Sequence, residues 1–312
     1  MSKVKWLVEA DVFDDNQDAL IAAIKAQGLD YHILKYVPFD DDLVNRCAKI
    51  YKPEDCVIFW GSLNFGHKLR KLPWVPGVYL NEKAFECTSY YPALHNELLH
   101  QKYVMMPYGD LMNNKNWIFS LFGNDPFAMG TNLFIRPNSG VKEFTGFVCD
   151  YISFDDCVKL AAFYDVEPNL LCLISSAENI SKEWRFVIVN GQPVSGSLYR
   201  DWSSPEKIDD GFTTKDYVLR NSHEKREYAS VNENLKLWNY AEQIAKIYEP
   251  DKCWTIDICE TAEYKYAHEY KVLEIGCFSC AGMYANNMND VVATVSKAAE
   301  EEWNEYYGKE PI

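Results

Sequence analysis

Short apolar runs alternate with amphipathic segments over the first hundred residues of the chain. The apolar runs have the length and the β-branched content of strands, and the amphipathic segments have helical spacing. Because strands that alternate with helices form parallel sheets, the pattern predicts a small parallel α/β lobe. The predicted strands cover residues 4–8, 31–37 and 56–60, and the predicted helices cover residues 41–50 and 16–27, with Gly28 ending the latter.

Beyond about residue 100 the pattern becomes richer in strands. Asn190-Gly191 lies between two alternating segments and predicts a hairpin, because this pair adopts the positive φ angles of a tight turn. A predicted helix over residues 93–101 precedes the change, so we predict an α/β domain over residues 1–100 and an α+β domain over residues 101–312. In the second domain, the predicted strands are 131–136, 145–149, 170–175, 183–189, 194–199, 253–259 and 270–275, and the predicted helices are 232–248 and 291–307.

The composition of the 312 residues limits the partners that the chain is expected to bind. A hydrophobic content of 48% indicates a folded chain, and a net charge of -15 argues against general binding of nucleic acid. Any phosphate site must therefore be a local basic cluster. The ten cysteines lie mostly in apolar runs, as reduced thiols do, and no run of eighteen apolar residues is present. We expect a soluble, cytoplasmic protein that does not enter a membrane.

Two acidic residues, Asp257 and Glu274, lie inside apolar runs that predict buried strands. An ionised carboxylate in such a place is costly unless something pairs with it. Two acids on consecutive strands favour a divalent cation, and Mg²⁺ prefers carboxylates together with phosphate oxygens. The alternative is that the acids face solvent or pair with Lys265 and Lys271. The six histidines lack metal-ligand spacing, and we assign them structural or surface roles.

A second candidate site is the segment 133–142, in which Arg136 and Lys142 flank a turn that follows a predicted strand. The backbone N–H groups of such a turn, together with two cations, can hold a triphosphate. The segment lacks the G-x-x-x-x-G-K-[ST] pattern of a P-loop. It is therefore a candidate phosphate site, and an ordinary surface turn is the alternative.

The predicted hairpin carries a third set of charged residues. Glu183 and Arg185 share one face of a strand because side chains alternate, and Arg200 on the return strand can join them. Guanidinium groups in this arrangement bind carboxylates or phosphates and stabilise charge that develops in a transition state. The alternative is a salt bridge from Glu183 to an arginine on a solvent-exposed face.

These motifs, taken in chain order, resemble the ATP-grasp superfamily. The resemblance extends to the clade named for two arginines and one lysine, whose members are similar to carboxylate-amine ligases. It covers roughly residues 100 to 290, and the preceding lobe is similar to the pre-ATP-grasp, Rossmann-like domain. The fold that it implies holds ATP between two α+β lobes. The motifs that carry it are 136–146, Glu183-Trp184-Arg185, Ser197-Leu198-Tyr199-Arg200, Asp257, and Glu274 with Ala281-Gly282-Met283-Tyr284.

The resemblance also implies roles for individual residues. Arg136 stands where many members carry a phosphate-binding lysine, the loop of Lys142 covers the phosphates, and the other phosphate-binding lysine is Lys102, with Lys115 as its rival. The strand of Ser175 recognises adenine. The implied cofactor-binding residues are Lys102, Arg136, Lys142, Ser175, Glu183 and Glu178, the last for the ribose; the implied catalytic residues are Lys142, Arg185 and Arg200; and the implied magnesium ligands are Asp257 and Glu274.

One departure from the family pattern affects the metal site. Members usually carry an asparagine two residues after the metal-binding glutamate, and this chain has Gly276 there. That change removes one expected ligand, for which Ser279 and Asn286 are candidate substitutes.

The function that the resemblance implies is ATP- and Mg²⁺-dependent ligation of a carboxylate to an amine through an acylphosphate. The substrates would be small molecules or peptides. Two alternatives stay open. One is a catalytically impaired ATP-grasp-like module that binds a nucleotide or a protein, which Gly276 and the acidic composition favour. The other is a kinase that phosphorylates a small molecule.

Overall fold

The computed structural model describes residues 4–38, 40, 42–123, 131–201, 235–261 and 269–308. Over these residues the chain has a mixed α/β architecture with three four-stranded sheets. None of the described helices is long and apolar enough to cross a membrane.

The first sheet is parallel and has the strand order β2-β1-β3-β4. It confirms the α/β lobe that the alternating pattern predicts, and Gly28 ends the first helix with a φ of +66°. A helix after the third strand is not among the predicted elements; it begins where the Ser62 hydroxyl accepts from the backbone N–H of Phe65. The elements are β1 (Val4–Glu9), α1 (Asp14–Ala26), β2 (Asp30–Leu34), α2 (Leu43–Ile50), β3 (Cys56–Trp60), α3 (Leu63–Leu69) and β4 (Val75–Gly77).

The second sheet is antiparallel, with the order β5-β8-β6-β7. Two helices cover one face of it, and Phe119 and Phe154 from these helices pack with Ile135 in one buried cluster. After helix α4 (Cys87–Ala93), the elements are β5 (Tyr103–Pro107), α5 (Lys115–Phe122), β6 (Leu133–Pro137), β7 (Phe147–Cys149), α6 (Phe154–Ala161) and β8 (Leu171–Ser176).

The third sheet is also antiparallel, and its order is β10-β9-β11-β12. Its first two strands form the predicted hairpin, with φ angles of +49° at Asn190 and +68° at Gly191. The elements are β9 (Ile180–Val189), β10 (Gln192–Asp201), α7 (Leu235–Ile247), β11 (Cys253–Thr261), β12 (Tyr270–Cys277) and α8 (Met288–Tyr307). The first three residues of the predicted helix 232–248 lie outside the described residues.

Helix α8, the last helix described, packs against the first strand, β1. Val291 and Val295 pack with Val4 and Trp6 of β1, and the Trp6 indole donates to the Ser296 hydroxyl at 3.1 Å. The same buried cluster includes residues of β9 and β11, so the first and third sheets share a core. Their relative position is therefore set by packing of apolar side chains.

The predicted helix over residues 93–101 is wrong. Helix α4 ends at Ala93, and the segment that follows pairs with β12 instead. The Leu99 N–H donates to the Val272 carbonyl at 2.9 Å, and the Val272 N–H donates to the Glu97 carbonyl at 2.7 Å. These bonds satisfy backbone groups that a helix would have used internally.

Candidate active site

A cavity of about 400 Å³ lies between the second and third sheets. Phe134 and Leu273 contribute apolar walls from facing sheets. The cavity gathers charged side chains from the end of β6, the loop after it, the β8–β9 connection, the hairpin and β12. Six residues predicted from the sequence line it: Arg136, Lys142, Glu178, Glu183, Arg200 and Glu274.

Beneath this cavity, Arg185 and Asp257 form a buried ion pair. They are direct cross-strand partners on β9 and β11. Arg185 Nε donates to Asp257 Oδ1 at 2.7 Å, and Nη2 donates to Oδ2 at 2.7 Å. A third bond runs from Arg185 Nη1 to the Gly282 carbonyl at 3.0 Å. The guanidinium is thus held in one orientation by a two-point, charge-assisted contact.

The pKa values of the pair follow from burial and from proximity. Burial raises the pKa of the Asp257 carboxyl, and the Arg185 guanidinium opposes that shift. Burial alone would lower the pKa of Arg185, but the Asp257 carboxylate outweighs it and the pKa lies well above its ordinary value. Arg185 therefore carries a permanent positive charge below the cavity.

Glu274 is the cross-strand partner of Asp257 on β12 and meets three cations. Its carboxylate oxygens lie 3.3 Å from Arg136 Nη1, 3.7 Å from Lys142 Nζ and 4.0 Å from Arg185 Nη2. Burial would raise its pKa, but the three cations outweigh burial and lower the pKa to about 2. Glu274 is therefore ionised at neutral pH.

The hairpin residues meet around one tyrosine. The Tyr199 hydroxyl donates to Glu183 Oε2 at 2.7 Å and lies 3.3 Å from Asp257 Oδ2. Arg200 Nη1 lies 3.8 Å from Glu183 Oε2, and the Arg185 guanidinium lies 5.7 Å from the centre of the Tyr199 ring. Glu183 is only 3% exposed. The structure brings the three predicted residues together, with Glu183 and Arg185 buried and the Arg200 side chain 37% exposed at the cavity.

A family model matches residues 117–294; it describes the ATP-grasp domain, family 2 of the clade named for two arginines and one lysine. The chain belongs to this ATP-grasp family. The resemblance based on the ordered motifs is confirmed. A search among curated proteins finds no match to the chain.

Solved ATP-grasp structures share the fold over nearly their whole length. D-alanine–D-alanine ligase from Bacillus anthracis complexed with ATP is 11% identical to this chain and has a TM-score of 0.59. The match covers 97% of this chain and 98% of the ligase chain. D-cycloserine synthetase DcsG is 12% identical, with coverage of 96% and 99% and a TM-score of 0.56. The ATP-grasp ligase PsnB complexed with minimal precursor is 11% identical, with coverage of 96% and 99% and a TM-score of 0.52. The predicted ATP-grasp fold is thereby confirmed.

Two predicted cofactor-binding residues of this ATP-grasp chain lie apart from the main cavity. Lys102 lines a neighbouring cavity of about 360 Å³, which shares His100 and Glu178 with the first. The Ser175 side chain is buried, and its hydroxyl lies 2.9 Å from His100 Nδ1. The rival lysine, Lys115, contacts Asp155 of α6 at 3.1 Å and lines neither cavity.

The two predicted magnesium ligands differ in how well they suit a metal ion. Both Asp257 oxygens accept from Arg185, so Asp257 does not fit a ligand role in this arrangement. Glu274 fits a ligand role, because its side chain is 23% exposed and lines the cavity. Lys271, the alternative partner of the acids, contacts the Asn96 carbonyl instead, and Lys265 lies outside the described residues. In the part of the chain that the structure describes, no group of three or more His, Cys, Asp or Glu residues could hold a metal.

Gly276 stands at the position where the resemblance implies an asparagine. The Thr255 hydroxyl donates to the Gly276 carbonyl at 3.3 Å, and a Cβ placed on Gly276 would lie 3.0 Å from that hydroxyl oxygen. Ser279 accepts from the Tyr79 N–H at 2.9 Å. Asn286 donates to the Met283 carbonyl at 2.8 Å. Neither candidate substitute lines the cavity.

His100, to which the sequence assigns a structural or surface role, lies in the cavity wall. It is 6% exposed and stacks on Phe134 with ring centres 4.7 Å apart. Burial and the nearby Arg136 lower its pKa to about 4, so the imidazole is neutral at pH 7. No spacing in the sequence marks this residue, because its neighbours come from other strands. His223 and His268 lie outside the described residues.

The turn after β12 makes contacts that the sequence does not predict. Tyr284 has a φ of +50°, which is rare for a bulky residue, and its ring stacks on Tyr199 at 4.6 Å. Asn16 of α1 holds this turn: Nδ2 donates to the Tyr284 carbonyl at 2.7 Å, and Oδ1 accepts from the N–H groups of Met283 at 2.9 Å and Tyr284 at 3.0 Å. The first lobe thus supports the turn that contacts Arg185.

Proposed function

We propose that the protein is an ATP-dependent ligase that joins a carboxylate to an amine through an acylphosphate. The observation that supports this most is the meeting of Arg136, Lys142 and Arg200 at one cavity in a chain of net charge -15. Such a local cluster is what a polyphosphate requires on an otherwise acidic protein. The cavity volume of about 400 Å³ lies in the range of ligand sites.

In this proposal Arg136 and Lys142 hold the phosphates of ATP. Both now contact Glu274, Arg136 at 3.3 Å and Lys142 at 3.7 Å. A polyphosphate offers them a higher negative charge than one carboxylate, so the two cations would turn from Glu274 to phosphate oxygens. Apolar contacts with Phe134 and Leu273 would hold the base beside the β8–β9 connection, where Glu178 is the predicted ribose contact.

The chemical step transfers the γ-phosphoryl group to a carboxylate oxygen of the substrate. The bond from the γ-phosphorus to the ADP oxygen breaks, and a bond to the carboxylate oxygen forms. An amine then attacks the acyl carbon and inorganic phosphate leaves. Arg200 lines the cavity and would neutralise the acylphosphate, whereas Arg185 lies beneath the cavity and would act through its fixed charge. Magnesium stays a prediction, and Glu274 is the acid best suited to it.

The substrates that we propose are small molecules or peptides that carry a carboxylate and an amine. The solved structures with this fold include a D-alanine–D-alanine ligase, a D-cycloserine synthetase and an ATP-grasp ligase complexed with a minimal precursor. We also propose the domain division of the sequence analysis, a pre-ATP-grasp domain over residues 1–100 and an ATP-grasp domain over residues 101–312. The last strand of the first sheet ends at Gly77 and the first strand of the second sheet begins at Tyr103, which supports that division, although α8 packs on the first sheet.

A second candidate function is nucleotide binding without ligation. Two observations favour it: Gly276 supplies no side-chain ligand, and the Asp257 carboxylate is occupied by Arg185. A protein of this kind would bind ATP in the same cavity and release no ADP. A small-molecule kinase is the remaining alternative, and it would give a stable phosphorylated product.

The test is trapping of the acylphosphate with hydroxylamine. Purified protein is incubated with ATP, hydroxylamine and a panel of amino acids and short peptides, and hydroxamate and ADP are measured together. ADP that forms in step with a hydroxamate supports the ligase. A phosphorylated product that forms without an amine supports the kinase, and ATP binding without ADP supports the binding module.

Substitutions of Arg136 test whether ATP binds in this cavity. Arg136→Met should abolish ATP binding, and Arg136→Lys should retain part of it because a cation remains. Lys115→Met is the matched control, since this lysine contacts Asp155 outside the cavity. Equal ATP binding by the wild type and Arg136→Met would overturn the proposed placement of the phosphates.

A further inference from the structure

The two acids predicted to share a metal ion have different surroundings. Asp257 is 3% exposed, and one guanidinium bonds both of its oxygens at 2.7 Å. Glu274 keeps a 23% exposed side chain and is approached by cations only at 3.3 to 4.0 Å. The Asp257 carboxylate is thus fully hydrogen-bonded to one guanidinium, and the Glu274 carboxylate is accessible from the cavity.

A metal ion on Asp257 would have to displace Arg185. Arg185 would then be a buried guanidinium without its counter-ion, which is strongly unfavourable. If Arg185 stayed, a divalent cation at the same carboxylate would lie close to a positive charge in surroundings that screen it poorly. Both outcomes disfavour metal binding at Asp257.

Arg185 is also held on its other sides. Its Nη1 donates to the Gly282 carbonyl at 3.0 Å, and its guanidinium lies 5.0 Å from the centre of the Tyr284 ring and 5.7 Å from that of Tyr199. Asn16 in turn holds the Tyr284 turn by three hydrogen bonds. Contacts from β10, β11 and the turn after β12 therefore all favour the present position of Arg185.

We propose that Arg185 takes the place of a metal ion between the two acids, so that Asp257 positions Arg185 and a divalent cation contacts Glu274 alone. Arg185 Nη2 lies 4.0 Å from Glu274 Oε1, which puts its charge between the carboxylates. Gly276 is consistent with this arrangement, because a site with one cation does not need the missing side-chain ligand. The inference rests on the proposed function, since the cation would bind together with nucleotide phosphates.

The experiment counts Mn²⁺ ions by electron paramagnetic resonance in the presence of a non-hydrolysable ATP analogue, whose binding is measured separately by calorimetry. Wild type should bind one Mn²⁺ per bound nucleotide. Glu274→Gln should weaken Mn²⁺ binding by more than about tenfold, because the loss of an outer partner of a metal ligand alone costs about 10- to 100-fold in affinity. Arg185→Gln should admit a second Mn²⁺, because Asp257 is then open.

Asp257→Asn alone leaves a buried arginine unpaired and can unfold the protein, so the decisive variant is the neutral pair R185Q/D257N. It should fold, as judged by circular dichroism, and retain one Mn²⁺ per nucleotide. Two Mn²⁺ ions per nucleotide on the wild type, or loss of Mn²⁺ from the folded R185Q/D257N protein, would overturn the inference while the nucleotide site stands. No nucleotide binding by the wild type would overturn the proposed function and this inference with it.

Discussion

Replacement of His100 by asparagine should reduce the acid sensitivity of the fold. His100 is 6% exposed, stacks on Phe134 and lies beside the Arg136 guanidinium, so a second positive charge there is unfavourable. Asparagine can keep a hydrogen bond to the Ser175 hydroxyl but cannot take up a proton in this pH range. The comparison therefore isolates the charging of one buried imidazole.

The magnitude follows from the lowered pKa. A difference of one pKa unit corresponds to about 1.36 kcal/mol. The lowering of the His100 pKa from 6.5 to about 4 is therefore equivalent to about 3 kcal/mol of unfolding free energy. The sign follows from proton binding. Between these two pKa values the unfolded chain binds a proton that the folded chain does not, so stability falls as the pH drops through this window.

The assay is urea denaturation of wild type and His100→Asn at about pH 7 and about pH 4. The wild type should lose about 3 kcal/mol more unfolding free energy between the two pH values than the variant, since all other titrating groups are common to both. His95→Asn is the matched control, because His95 is exposed. An equal pH dependence of wild type and His100→Asn would refute the reasoning.

Three further changes test the contacts around the site by urea denaturation. Asn16→Ala removes three hydrogen bonds that tie α1 to the turn after β12 and should lower the unfolding free energy by about 1 to 3 kcal/mol; no change would contradict the role of this contact. Tyr199→Phe should cost a similar amount, about 1 to 3 kcal/mol, because it removes the 2.7 Å hydrogen bond from the Tyr199 hydroxyl to the buried Glu183 carboxylate. Tyr91→Phe is its control and should be neutral or stabilising, since the buried Tyr91 hydroxyl has no hydrogen-bond partner among the described residues. Gly276→Ala brings a Cβ to 3.0 Å from the Thr255 hydroxyl oxygen and should destabilise by about 1 to 3 kcal/mol. Thr255→Ala has a cost of its own because it removes a hydrogen bond, but in that background Gly276→Ala should cost much less; additive effects of the two changes would refute the clash.

The family and most elements could be predicted from the sequence because their signals are local. Asn190-Gly191 adopts the positive φ angles that its residue types permit, and Gly28 ends α1 for the same reason. Predicted helix 93–101 is wrong because its backbone pairs with β12, which no local pattern reveals.

Only some of the residues of the candidate site could be predicted from the sequence. Arg136, Lys142 and Glu274 could be singled out because each is a charged residue at a turn or inside an apolar run. His100 could not, because its partners, Ser175 and Phe134, come from strands distant in the sequence. Burial decides its protonation, and burial depends on the whole fold.

By itself the sequence determined that two acids lie on consecutive strands and that Glu183 and Arg185 share a strand face, since a period of two residues requires it. Only the tertiary structure decided which charges meet. The sheet order places β9 next to β11, and the register sets Arg185 opposite Asp257. Strand order depends on the packing of sheets, helices and turns over the whole chain, and for that reason the sequence alone does not reveal that Arg185 is the partner of Asp257.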